Sequence, residues 1–126
     1  MSKKIILTNQ SPAPVGPYSQ AVQQGPFLFC SGQIAIDPKT NEVLKDGVQG
    51  QAKLVMENIR GLLQAADYDL KDIVKTTIYL TNMNDFATVN EVYASYFKDN
   101  HPARSTIGVA ALPKGLQVEI EVLAYK

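Results

Sequence analysis

The sequence predicts an α+β fold, a mixed six-stranded sheet carrying two helices on one face. Three observations lead there. Two stretches repeat apolar residues at spacings of three and four, the period of a helix lying on a surface. Six other stretches are short and apolar or β-branched, and most are bounded by Pro, Gly, Asn or Asp. Several of these strands are apolar on both faces, so two helices leave a second face uncovered, and another copy of the chain is the simplest cover. The predicted order is β-β-β-α-β-α-β-β, in one domain over residues 1–126 without internal repeats.

Lys4 to Leu7 reads as the first strand. Residues 11–17 hold three prolines and a glycine, so they form a stiff extended loop that delivers Tyr18 and Ser19 to a fixed place. Such a loop can equally do no more than cross the end of the sheet. Residues 18–24 and 27–36 read as a hairpin turning at Gly25-Pro26. Strict alternation puts Phe27, Phe29, Ser31, Gln33 and Ala35 on one face and Leu28, Cys30, Gly32, Ile34 and Ile36 on the other. Cys30 reads as a small core residue rather than a nucleophile, because no His lies nearby in sequence. Gly32 allows close approach by a ligand or another strand.

Val48, Ala52, Val55, Met56, Ile59, Leu62, Leu63 and Ala66 form the stripe of the first helix, which ends at Asp67-Tyr68. Ile73 to Thr81 is a β-branched strand, read with Val74, Thr76, Ile78 and Leu80 on one face. Asn82 or Asn84 then caps a second helix whose apolar face carries Phe86, Val89, Tyr93, Tyr96 and Phe97. Asn90 lies on that face too, where an amide either satisfies nearby backbone or orients a site. The next strand begins at Pro102-Ala103-Arg104. Arg104 is either a surface charge at a strand edge or the holder of an anion, since guanidinium grips a carboxylate with two parallel hydrogen bonds. In the last strand, from Gln117 to Tyr125, Glu119 and Glu121 share a face with Leu123 and Tyr125.

The 12 basic and 12 acidic side chains cancel, and no basic stripe is present, so nucleic acid is an unfavoured partner. No apolar run spans a membrane, and the N-terminal run is too short for a signal-peptide core. One cysteine excludes an internal disulfide and fits a reducing cytoplasm. One His and one Cys, far apart, supply no metal site.

Ala13-Pro14-Val15-Gly16-Pro17-Tyr18-Ser19-Gln20, Ser31-Gly32-Gln33-Ile34, Asp85-Phe86-Ala87-Thr88-Val89-Asn90, Pro102-Ala103-Arg104-Ser105 and Leu112-Pro113-Lys114 with Val118-Glu119-Ile120-Glu121 occur in order. With them the whole chain resembles the Rid family, also called YjgF. The resemblance implies a chorismate-mutase-like fold and a homotrimer, with a central barrel of sheets and active sites between subunits. It implies that Arg104 holds a substrate carboxylate, that Tyr18, Ser31, Gly32 and Asn90 line the site, and that Glu119 positions water or moves a proton. Many members of the deaminase branch carry Cys two residues after the arginine, whereas this chain has Thr106. Thr106 shares the face of Arg104 and keeps a hydroxyl for water, but thiol chemistry is lost. The implied activity is cofactor-free hydrolysis of 2-aminoacrylate, 2-iminopropanoate and related 2-imino acids to ammonia and a 2-oxo acid such as pyruvate or 2-oxobutanoate. The alternatives are a non-catalytic metabolite-binding regulator and the ribonuclease or translation inhibitor to which the family name has also been attached.

Overall fold

Both helices form where the apolar spacing places them. In a computed structural model, which describes residues 2–126, α1 spans Val48–Ala65 and buries Ala52, Val55, Met56, Ile59, Leu62 and Leu63. Two amides on the same face, Gln51 and Asn58, are buried as well. Asn58 Nδ2 donates to Ile36 O at 2.9 Å. Gln51 Nε2 donates to Gln117 Oε1 at 2.9 Å, and Gln51 Oε1 accepts from the Gln117 N–H at 2.8 Å. Unpaired, each amide would cost about 1–3 kcal/mol, so these contacts fix the helix over particular backbone atoms.

The second helix, α2, is shorter than its apolar pattern and spans Phe86–Ala94. A tight turn over Met83–Asp85 precedes it, and the Asn82 side chain accepts from the Asn84 N–H at 3.0 Å. Val89, Tyr93 and Phe97 are buried, whereas Phe86 stays at the surface and Tyr96 lies beyond the helix end.

The six strands are β1 (Lys4–Ile6), β2 (Ala21–Gln24), β3 (Phe27–Gln33), β4 (Ile73–Leu80), β5 (Ala103–Gly108) and β6 (Val118–Tyr125). Their order in the sheet is β1-β2-β3-β6-β4-β5. Only β4 and β5 are parallel, so the sheet is mixed. The last strand in sequence therefore lies between β3 and β4, with α1 crossing from one to the other. The core fills the space between the sheet and the helices: Leu28, Ile78, Leu80, Val118, Ile120 and Ala124 meet the α1 stripe.

Strict alternation fails at two places. Cys30 pairs with Val122 and Gln33 with Ile120, so β3 carries one extra residue and bulges. Gln33 and Ala35 therefore join Leu28 and Cys30 on the buried side, not Phe27 and Phe29 as the sequence suggested. In β4, Ile73 pairs with Ala124 and Lys75 with Leu123. Ile73 enters the core, while Val74, read on the same face as Thr76, Ile78 and Leu80, is 44% exposed.

The face away from the helices carries Phe27, Phe29, Ile107 and Tyr125, all exposed, with the Phe27 and Tyr125 rings 5.1 Å apart. The sheet is thus apolar on both sides, as its sequence implied. No described helix is long and apolar enough to cross a membrane.

The N-terminal loop packs on α1 at Gly61, where an added Cβ would lie 2.3 Å from Gln10 O. Gly→Ala inside a helix ordinarily stabilises by about 1 kcal/mol. Here Gly61→Ala will destabilise by roughly 1–3 kcal/mol through overpacking against backbone, measured as a lower urea midpoint with unchanged slope.

Candidate functional site

A cleft of about 490 Å³ opens on the face away from the helices. One wall is the proline loop. Its anchor is Gln20, which is buried and spans the loop. Gln20 Oε1 accepts from the Thr8 N–H at 2.8 Å, and Nε2 donates to Thr8 O and Pro12 O, each at 2.9 Å. The Ser31 hydroxyl donates to Ser19 O at 2.6 Å, and the Ser31 N–H donates to Gln20 O at 2.9 Å. The loop is thereby tied to the bulge of β3, and Tyr18 reaches the cleft from a segment with little freedom left to lose.

The floor is built by β6 and the bulge. Glu119 and Glu121 project into the cleft together with Ser31, Gly32 and Lys114. Gly32 makes room for Glu119, because a Cβ there would come 2.0 Å from Glu119 Oε2. Burial, and then the charge of Glu121, raise the Glu119 carboxyl above the usual carboxylate range. No hydrogen-bond donor among the described residues reaches Glu119, while Tyr79 O–H donates to Glu121 Oε1 at 2.5 Å. That bond, with burial, raises the Tyr79 phenol, so Tyr79 keeps its proton. Lys114 enters the cleft wall in a left-handed backbone conformation, φ 62°.

A second cluster forms at the far edge of the sheet. In β5, Arg104 lies beside Thr76 of β4, and both face the helices. Arg104 Nη1 donates to Asn90 Oδ1 at 2.7 Å. The guanidinium lies over two aromatic rings of α2, 5.1 Å from the centre of Tyr93 and 5.5 Å from that of Phe86. Tyr93 is itself fixed by a 2.8 Å bond between its hydroxyl and Thr76 Oγ1. Each ring contact is worth about 0.5–1 kcal/mol at an exposed site. The result is an exposed cation with its orientation set, and with N–H groups beyond the one given to Asn90. Thr106, beside Ile78, faces the same way and is half-buried.

The expected site residues therefore fall into two groups. Tyr18, Ser31, Gly32 and Glu119 meet in the cleft. Arg104, Asn90 and Thr106 lie on the opposite, helix-covered side of the sheet. Glu119 is the cross-strand partner of Tyr79, which alternates with buried Ile78, so the two groups do not converge within one chain. Cys30 is buried and its thiol is pushed up to about 12, which leaves it inert. No group of three or more potential metal ligands occurs among the described residues.

Four residues that shape these clusters escaped the sequence reading as site residues. Phe86 and Tyr93 read as the apolar face of the second helix, Tyr79 as a strand residue, and Lys114 as the end of the Leu112-Pro113-Lys114 stretch. Phe86 and Lys114 stand inside the motif stretches quoted above, and Tyr79 and Tyr93 lie in elements that carry or adjoin them.

Gly32→Ala will test the cleft floor. Its new methyl meets the flexible end of Glu119 and no backbone, so the thermal midpoint will stay within a few degrees of wild type. The Glu119 carboxyl resonance will nevertheless move in a ¹³C NMR titration; an unmoved resonance would refute this close approach.

Residues 8–126 match the family model described as Endoribonuclease L-PSP. A RutC family protein of Pyrococcus horikoshii is 52% identical over 124 residues, covering 98% of both chains. A mouse protein named 2-iminobutanoate/2-iminopropanoate deaminase is 47% identical, covering 98% of this chain and 92% of its own. The crystal structure of RidA from the Antarctic bacterium Psychrobacter superimposes with a TM-score of 0.94 at 45% identity, covering 98% of this chain and 99% of that one.

Proposed function

Because the chain belongs to the Endoribonuclease L-PSP family, in which the Rid proteins fall, we propose that it hydrolyses 2-imino acids. The substrates of this reading are 2-aminoacrylate with its tautomer 2-iminopropanoate, and the four-carbon analogue; the products are ammonia and pyruvate or 2-oxobutanoate. The mouse relative carries that activity in its name. The observation that carries the reading is Glu119, a carboxyl in a cleft that no donor among the described residues reaches, raised above the usual carboxylate range by burial and by Glu121. Such a group is suited both to give and to take a proton.

The chemistry then runs on a single acid/base. Protonated Glu119 gives its proton to the imine nitrogen. Water adds to the C=N carbon, and the proton it sheds returns to Glu119, leaving a carbinolamine. Glu119 protonates the amine, the C–N bond breaks, ammonia leaves, and the hydroxyl proton comes back to the carboxylate as the carbonyl forms. The net change is imine plus water to ketone plus ammonia, with Glu119 restored. Orientation and one acid/base group supply roughly 10²–10⁴-fold, which suits an imine that already hydrolyses in water. No cofactor or metal has a part in this scheme. Arg104 holds the substrate carboxylate, with Asn90, Tyr93 and Phe86 fixing its direction.

Because the two clusters lie on opposite sides of one sheet, this reading needs the cleft of one copy to meet the Arg104 edge of another. A homotrimer with the exposed apolar faces turned inward satisfies that requirement and covers Phe27, Phe29, Ile107 and Tyr125. A single buried cysteine fits a reducing cytoplasm as the working compartment of this reading. A ribonuclease reading, which the family description raises, meets a cleft lined by Glu119 and Glu121 that repels a phosphodiester.

Two measurements test the proposal. A serine-consuming dehydratase generates the imine, and its decay is followed with this protein at catalytic amounts. Acceleration supports the enzyme, whereas an effect only at stoichiometric amounts supports a binder. Arg104→Ala will lower kcat/KM on the order of 10²-fold, and Arg104→Lys will recover only part because the bidentate fork is lost. Inactive Arg104→Ala and Glu119→Gln proteins, unfolded and refolded together, will regain activity if each site draws on two copies. No regain on mixing would place both residues in one copy and sink the shared site.

A further inference from the structure

The cleft holds a second carboxylate that the reaction above does not use. Glu119 and Glu121 are two residues apart on β6, so their Cα atoms are about 7 Å apart and their side chains share a face. Their surroundings differ. Glu121 accepts the 2.5 Å bond from Tyr79 O–H, while no donor among the described residues reaches Glu119. Tyr79 is the direct cross-strand partner of Glu119, yet its hydroxyl crosses diagonally to Glu121. One phenol thereby pins one carboxylate next to the other.

We infer that Tyr79 and Glu121 are positioning residues for Glu119: Tyr79 holds Glu121 in place as a fixed anion, and that anion keeps the working proton on Glu119. This rests on the imine-hydrolase reading for its chemistry but not for its geometry. Two like carboxylates cannot both ionise freely at short range, so the one without a donor takes the proton.

The other ionisable groups facing the pair do not provide this. Lys75, on the same face of β4, reaches Ser105 on the edge strand at 3.4 Å. Lys114 and Tyr18 line the cleft from the turn before β6 and from the proline loop, and Tyr125 lies at the far end of β6. β3 contributes Phe29 and Ser31 to this face, and β5 contributes Ser105 and Ile107, none of which titrates here. After burial, the charge of Glu121 is the remaining cause of the raised Glu119 carboxyl.

The sign follows directly. A raised Glu119 stays protonated to higher pH, so a rate that needs its proton falls as pH rises through its pKa. Glu121→Gln removes the charge while leaving Oε1 to accept from Tyr79. The falling limb of kcat against pH will move to lower pH, with a loss on the order of tenfold at pH 8 that acidification recovers. A merely structural role would lower the rate at every pH alike.

The deciding experiment is ¹³C NMR titration of the Glu119 carboxyl in wild type, Glu121→Gln and Tyr79→Phe, which needs no turnover. The midpoint will fall in Glu121→Gln, and it will also fall in Tyr79→Phe, where Glu121 is free to swing into solvent. An unchanged midpoint in the folded variants overturns the inference. If one variant fails to fold, the other decides. Should the wild type show the shift but hydrolyse no imine, the pair stands and the proposed reaction fails; turnover with an unmoved midpoint fails the pair alone.

Discussion

Everything in the cleft depends on one extra residue in β3. Between Cys30 and Gln33 the chain bulges by one position against β6. Without that residue Gly32 would face the helices, as strict alternation from Leu28 and Cys30 requires. With it, Gly32 lies under the Glu119 carboxylate, and the missing Cβ is the space the carboxylate occupies. Ser31, within the same bulge, donates its hydroxyl to Ser19 O and so fastens the proline loop that carries Tyr18. A single irregularity in a strand thus sets the floor and one wall of the cleft, and Gln33 and Ala35 return to the core beyond it.

Much of the fold was legible because helices advertise their period. The α1 stripe could be read residue by residue, and β6 alternates over its full length as expected. The bulges were not legible, because a bulge changes the phase of a pattern without changing its composition. Val74 and Ile73 are both β-branched, so nothing in the letters says which enters the core. Gln51 and Asn58 were invisible for a related reason. An amide is an ordinary residue on a solvated helix face, and only the backbone atoms of residue 36 and the Gln117 amide make it a buried one. The candidate site residues were singled out from motif, but their division into two groups was not legible there. That division follows from sheet order, since β5 pairs parallel to β4 and turns Arg104 toward α2.

The two groups are solved by different physics. Arg104 is held by weak contacts that leave it solvated: an amide oxygen and two ring faces. Its charge thereby stays available to an anion, as the proposed carboxylate anchor requires. Glu119 is treated in the opposite way. It is half withdrawn from water, reached by no donor among the described residues and set beside another carboxylate. This arrangement lowers stability at neutral pH, because an acid with a raised folded pKa stabilises most below its unfolded pKa and loses that contribution as pH rises. A carboxyl kept in such surroundings against the stability of the fold is what the proposed proton transfer requires.

The same geometry reassigns the importance of Thr106. Read from the sequence, a threonine where many members of the deaminase branch carry cysteine removes thiol chemistry but keeps a hydroxyl for water. In the structure Thr106 shares its face and its strand with Arg104, beside Ile78, and lies across the sheet from Glu119, Glu121 and Tyr79. Its hydroxyl is therefore in a position to help order an anion or a water near the guanidinium, while the groups that hold protons belong to the other cluster. Within one chain a thiol lost at position 106 removes only a neighbour of Arg104. In the shared site proposed above, the edge that carries Arg104 and Thr106 meets the cleft of another copy, so the change bears on the seating of the anchored end and on the water near the acid, and both substrate preference and rate are open to it.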